Sequence, residues 1–450
     1  MKGSSATFPL NRQIVTNAER RVIRARAGHS NAPSGESRSE SLQSFLSDVV
    51  SQPYRYEPSR VIAALDRAVD NGANVIAPLT VTDHVPILVS PLHALIMYST
   101  EHGGLRMQTA RLISKMIRRG ANVNAVDEEG QTPLSRALKL NYSGPNRAEI
   151  VHALIERGAN VNMRFRSRRM YLQFQYQYPI HIATAYVSIQ RTAHERRAEM
   201  RIIHEMLRAG ADVNSRDENG DTPIMRGAQY FGDMCKFLIS HGADVNARDN
   251  DGQTALHHAM VSGAKELIKS GANVSAVDRQ GRTPLMTVPD STRKILLLNG
   301  ADVNARDNDG KTVLIRDLSR SIRLFSVGRV RVLLDAGANV DLQDFSGMTA
   351  LMYTCYADGN PLTVSGRRTS SRFPIFELLL TRTRNINAVD SSGHTALWHV
   401  VRGGLGESAV RLLLDKGANR TNRAVLAISA RKGSRVRRAL NAVRAHNSRP

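Results

Sequence analysis

The chain has 450 residues, 41% of them hydrophobic and only 5% aromatic, with a formal charge of +22. So few aromatic residues fit poorly with one large globular core and better with a stack of small units built on aliphatic side chains. Two cysteines, Cys235 and Cys355, make no disulfide framework and point to a reducing compartment. No run of 18 apolar residues predicts a membrane span.

Residues 1–40 are polar and rich in Ser and Arg, and read as a disordered basic tail. Within them, residues 2–27 weakly resemble an organellar transit peptide, but no apolar leader segment is present. Helical periodicity then predicts two helices over 41–77: one through Leu42, Phe45, Leu46, Val49 and Val50, a second through Val61, Ile62, Leu65 and Val69 that stops at Gly72. This pair reads as an N-terminal capping unit.

From residue 78 to 420 a signature recurs, Gly-Ala-(Asp or Asn)-Val, beginning at Gly120, Gly158, Gly210, Gly242, Gly271, Gly300 and Gly337, with a worn copy at Gly417. Its central copies are 29 to 32 residues apart. A fixed period of this size marks a solenoid, in which each unit buries its apolar face against its neighbours. Residues 248–276 show the grammar best. Asp249-Asn250-Asp251-Gly252 is a turn, Thr254 offers a helix cap, and Leu256, Ala259 and Met260 recur at helical spacing. A second helix through Leu267 and Ile268 ends at Gly271, where a residue without Cβ takes a left-handed cap. Other units place proline at the first helical position, in Thr132-Pro133, Thr222-Pro223 and Thr283-Pro284, where its missing N–H does no harm.

This ordered set (Asp-x-x-Gly, then x-Thr-Pro-Leu-His-x-Ala, then an outer helix, then Gly-Ala-Asp-Val-Asn) resembles the ankyrin repeat over roughly 41–446. The resemblance implies an all-α solenoid of helix-turn-helix units joined by hairpin loops, nine full units and two caps, whose hairpins and inner helices bind proteins. It also implies that the motif histidines, here His93, His181 and His257, tie neighbouring units by hydrogen bonds. Ser135, Met225, Met286, Ile315, Met352 and Trp398 take that place elsewhere, so the network is expected to be incomplete. Units 248–276 and 277–305 are short, and Val288-Pro289 interrupts the second, predicting shortened helices there. Insertions at 76–89 and 163–177 lengthen hairpin tips; those at 319–328 and 357–374 lengthen helix connections. Residues 421–450 read as a basic capping helix pair and tail.

Three groups of side chains are candidates for binding. The insert 163–178 carries Arg164, Arg166, Arg168 and Arg169 followed by Tyr171, Phe174, Tyr176 and Tyr178, the residue types that anchor protein interfaces and that stack on single-stranded bases. Their partial period of two is equally that of an extended structural hairpin. Arg216, Arg248, Arg306 and Phe345 lie at hairpin turns and are partner-binding candidates. Arg431, Lys432, Arg435, Arg437 and Arg438 offer a polyanion patch, or else a solubilising cap.

Charge separates the first reading of function from the second. Residues 216–315 hold 12 Lys or Arg and 13 Asp or Glu, so of the total 62 basic and 40 acidic residues the remainder holds 50 and 27, a net +23. A nearly neutral middle argues against a continuous polyanion groove. The expectation is a monomeric, intracellular, non-enzymatic scaffold that binds a protein partner, without cofactor or metal. Nucleic-acid or anionic-surface binding through the ends and the 163–178 insert is the alternative, and a host-directed effector or degradation adaptor is a third. Cys235 sits among outer-helix apolar residues and reads as core, and no Gly-x-Ser-x-Gly elbow, phosphate-cradling loop or metal-ligand spacing is present.

Overall fold

The computed structural model describes residues 46, 58–83, 85–101, 106–139, 145–168, 174–189, 193–229, 232–320, 326–355, 372–403, 405 and 407–419. It divides into two units, Met1–Asp244 and Val245–Pro450. In each, pairs of antiparallel helices follow one another in sequence order.

In the first unit Leu46 and the helix Pro58–Asp70 lead into four helix pairs. Their inner helices are Pro91–Glu101, Pro133–Leu138, Pro179–Ile189 and Pro223–Ala228; their outer helices are Arg106–Arg118, Pro145–Glu156, Ala193–Arg208 and Gly232–Ser240. Inner helix packs on the next inner helix, and the first three outer helices pack on one another in turn. The contact layers are aliphatic: Leu92, Leu95 and Ile96 face Leu134, Ala137 and Leu138, while Leu112 and Ile113 face Val151 and Leu154, all fully buried. Two antiparallel hairpins rise from this unit, β1 (Leu79–Asp83) with β2 (Val85–Val89), and β3 (Phe165–Arg168) with β4 (Phe174–Gln177). Cys235 is buried in an outer helix.

The second unit repeats the plan with shorter elements. Its inner segments are the 3₁₀ turn Ala255–His258 and the helices Pro284–Thr287, Val313–Arg320, Ala350–Cys355 and Ala396–Gly403. Its outer helices are Val261–Lys269, Asp290–Leu298, Val327–Asp335, Arg372–Arg382 and Glu407–Asp415. The two short units have the shortest inner segments, four residues each. In the second of them Val288 leaves helical φ/ψ at −75°, 159°, as a residue before proline must. The helical spacing through Met260 does not hold. The chain turns extended at Ala259, and Met260 stands half-exposed as the N-cap of the outer helix rather than in the core. Helices run through Arg320 and restart at Arg372, and the rest of the expected insertions, residues 321–325 and 357–371, lies outside the described residues.

Each outer helix except Arg372–Arg382 ends on a glycine. At Gly242, with φ +87°, Gly242 N donates to Ile239 O and Ala243 N to Leu238 O, the paired bonds of a left-handed helix stop. Gly120, Gly158, Gly210, Gly271, Gly300, Gly337 and Gly417 repeat this positive φ. No described helix is long and apolar enough to cross a membrane. Residues 1–40 and 421–450, including Arg431, Lys432, Arg435, Arg437 and Arg438, lie outside the described residues.

Candidate functional site

The hairpin turns are built by aspartate. In residues 249–253, Asp249 Oδ1 accepts the N–H groups of Asp251 and Gln253, each at 2.8 Å, and Gly252 closes the turn at φ +77°. Asp127, Asp217, Asp278, Asp307, Asp344 and Asp390 do the same in their own turns. The second carboxylate oxygen reaches a side chain nine residues on: Arg136 from Asp127, Arg226 from Asp217, His258 from Asp249, Arg316 from Asp307, Tyr353 from Asp344 and His399 from Asp390. These six turns are thereby fixed to their own inner helices, while the second oxygen of Asp278 accepts instead from Arg282 Nε at 2.6 Å within its own turn. Burial would raise the Asp278 and Asp390 carboxyls, but the N–H and cationic groups around them hold both below the ordinary aspartate value. The interval of nine recurs in the sequence itself.

A second device joins neighbouring repeats. Asn304 Nδ2 donates to Gly337 O at 3.1 Å, and its Oδ1 accepts from Asn339 N at 2.8 Å. Asn124, Asn162, Asn214, Asn246 and Asn387 each make the same two-way clasp with the next glycine stop. Ser275 stands where the series requires asparagine, and that rung is missing. At Asp341 a carboxylate accepts the N–H groups of Arg384 and Asn385 instead.

The histidines complete the joinery. His93 Nε2 meets Gln131 O at 3.0 Å, His181 Nε2 meets Asp221 O at 2.8 Å and His257 Nε2 meets Arg282 O at 3.0 Å. A carbonyl only accepts, so Nε2 carries the proton. Nδ1 of His257 accepts from Thr254 N at 3.0 Å, which requires a neutral ring. Burial lowers the pKa of all three histidines, against the pull of nearby aspartates and carbonyls.

On this fixed frame stands a row of side chains in the second unit, one residue before and one after each turn aspartate. The residues before are Arg248, Val277, Arg306, Gln343 and Val389; those after are Asn250, Arg279, Asn308, Phe345 and Ser391. Arg248 Nη1 donates to Gly252 O at 2.9 Å and to Val277 O at 2.5 Å, Arg306 donates to Gln343 O, and Gln343 Nε2 donates to Val389 O at 2.8 Å. The two arginines therefore spend donors on the next hairpin as well as facing outward. The tips bond through their backbones: Arg279 N to Asp251 O, Asn308 N to Gln280 O, Phe345 N to Asp309 O and Ser391 N to Ser346 O, at 2.8 to 2.9 Å. Phe345 is 72% exposed, yet its Cδ1 lies only 2.8 Å from where a Cβ on Gly310 would be. The ring rests against a bare glycine on one side and is open on the other. Val277 and Val389 are half-exposed elsewhere in the row.

In the first unit Arg216 is exposed ahead of its turn, and the 163–178 insert is the β3–β4 hairpin. Phe165 at its base is buried under Lys139 Nζ at 5.1 Å from the ring; burial, with Arg136 nearby, lowers the Lys139 pKa to about 8. Arg164 Cζ sits 5.6 Å from the Tyr178 ring. Arg166, Arg168, Phe174 and Tyr176 lie on the two strands; Arg169 and Tyr171 fall outside the described residues.

Residues 129–165 match the family model "Ankyrin repeat", and 193–278 match "Ankyrin repeats (3 copies)". The chain contains ankyrin repeats. Among solved structures its array is similar to the ankyrin repeat domain of Bcl-3, described as a unique member of the IkappaB protein family. The two are 23% identical, with a TM-score of 0.41, over 53% of this chain and 98% of that one. No curated protein matches the chain. Ankyrin repeats are in general protein–protein interaction modules. The thiols of this one are placed as packing groups, Cys235 and Cys355 both being buried and the Cys355 pKa pushed up to about 12 by burial.

Proposed function

We propose that this protein binds a protein partner, without chemistry of its own, through the hairpin row of residues 248–391, with Phe345 as the anchor. The observation that carries the reading is the Phe345 ring, held on Gly310 and exposed outward. An apolar ring costs free energy in water unless something covers it, and a ring already fixed loses little freedom when it is covered. Along the same row Val277 and Val389 are half-exposed and Arg279 follows a turn aspartate, the mixture of apolar and cationic groups that interfaces favour. Arg248 and Arg306 serve first to brace the row and second to face the partner.

Leu298 provides the control. It is 76% exposed, but on the last turn of an outer helix, away from the hairpin tips. A photo-crosslinking amino acid placed at 345 in the native host should capture a discrete protein, and one placed at 298 should not. Phe345→Ala should abolish co-purification of that protein with an unchanged melting curve. Equal capture at both positions, or capture at neither, would overturn the assignment.

A further inference from the structure

Three successive outer helices of the first unit present an exposed histidine: His152 on Pro145–Glu156, His204 on Ala193–Arg208, and His241 one residue past Gly232–Ser240. His152 is turned to Glu205, its Nδ1 3.1 Å from Oε2. His204 and His241 lie side by side from adjacent repeats. Their ring centres are 5.8 Å apart, and the Phe237 ring stands against both, at 5.9 and 4.4 Å. His241 is held in place twice. Its backbone sits between the helix and the Gly242 stop, and its Nδ1 meets Phe237 O at 2.9 Å. A carbonyl only accepts, so Nδ1 carries the proton and Nε2 keeps its lone pair. Capping of the last helical carbonyls accounts for His241 alone. It does not account for the second imidazole brought beside it from the neighbouring repeat. His204 makes no hydrogen bond among the described residues, so neither of its nitrogens is spent on the fold.

We propose that His204 and His241 hold a zinc ion between these two outer helices, with water completing its four ligands. The spacing fits. Zinc binds imidazole nitrogen at about 2.0–2.1 Å, which sets the centres of two rings on one tetrahedral ion about 5–6 Å apart. The two ring planes stand 84° apart, and the terminal torsion of a histidine is broad, so the unbonded His204 ring can turn a nitrogen toward the ion while His241 stays fixed. The bond from His241 Nδ1 to a carbonyl is the arrangement that orients a metal-bound imidazole and raises its basicity. Imidazole donors select zinc over magnesium and calcium, which take oxygen. His152 has no second imidazole beside it among the described residues, and its Nδ1 is committed to Glu205. Each ligand comes from a different repeat, so the ion is a clip that binds only the folded array and closes one joint within it. The site is independent of the proposed protein-binding row.

The test uses the full chain without a histidine tag, zinc chloride as the probe and magnesium chloride as the control. Zinc should raise Tm by a few degrees and magnesium should not. In titration calorimetry, His204→Asn and His241→Asn should each raise the Kd for zinc about tenfold or more, while His152→Asn should leave it within about twofold. Diethyl pyrocarbonate labelling read by mass spectrometry adds the position: zinc should protect His204 and His241 and leave His152 reactive. Should either variant fold poorly, this footprint on the unaltered chain decides the matter. Three results would overturn the site: no zinc-dependent rise in Tm, an unchanged Kd in both variants, or protection of His152 equal to that of the other two. The second would put the ion elsewhere, and the third would mark loose binding to any exposed imidazole.

Discussion

The hairpins at 278–282, 307–311 and 344–348 differ from the inserted hairpin at 165–177 in where their backbone groups go. The short tips close on themselves with the N–H of the turn aspartate and also each give an N–H to the tip before, so the row is joined along its length. The long tip pairs its own strands and puts Phe165 in the core. A few added residues thus turn part of a platform into an arm. Beneath the long hairpin the repeats are held by the same clasps and buried ion pairs as in the short-tipped region. Asn124 and Asn162 clasp the next glycine stops, and Arg147 is buried against Glu199 between adjacent outer helices. A second such pair, bidentate Arg293 to Asp317, lies in the short-tipped region.

The strongest way to break the contrast is at that ion pair. Burial raises the Glu199 pKa against the pull of Arg147. Arg147→Met would strand a buried acid and should cost about 3–5 kcal/mol, while adding Glu199→Leu should recover most of it. Chemical denaturation measures both; a single variant as stable as the parent would remove the pair from the account.

Glycine comes next. A Cβ at Gly310 would meet Phe345 N at 2.9 Å, whereas one at Gly300 would meet nothing within 4 Å. Both have positive φ, so Gly300→Ala should cost about 1–2 kcal/mol for backbone conformation alone, and Gly310→Ala about 1–2 kcal/mol more for the displaced tip bond. Equal losses would show that the tips are not joined as described. Gly242→Val, with open space around it, should also show the conformational cost, about 1–2 kcal/mol.

The histidine joints give a graded response. His93, His181, His257 and His399 all have pKa values lowered by burial. A depressed folded value means that the unfolded chain takes up protons first as pH falls. Their stabilisation is therefore complete above the unfolded value near 6.5 and is lost as pH falls from there through the folded values. Melting temperature should be flat from about pH 8 to about pH 7 and drop below about 6.5. His257→Asn should flatten part of that drop; an unchanged profile would exclude His257 from it.

The smallest effect sharpens rather than breaks. Ser275→Asn should supply the missing rung between adjacent glycine stops and add about 1 kcal/mol, read as a higher denaturation midpoint with unchanged slope. No gain would mean that this pair of repeats is spaced differently from the others.

Much of the fold was legible in the residues. Thr-Pro starts, Asp-x-x-Gly turns and glycine stops each act within a few residues of chain, so their chemistry is written locally. His93, His181 and His257 could be singled out by the resemblance before the carbonyls they meet were known. The Asp-to-plus-nine interval and the repeated asparagine were equally present but required a sense of what lies opposite. Met260 stands outside the core although it keeps helical spacing, because spacing does not reveal where a short unit runs out of helix.

The sequence alone determined that helix pairs stack, because periodic aliphatic faces have nowhere else to be buried and glycine alone tolerates the backbone between them. Tertiary structure decided which polar groups meet. Arg147 with Glu199 and Asn304 with Gly337 are 52 and 33 residues apart, and only the packing of one repeat on the next brings them within hydrogen-bonding reach.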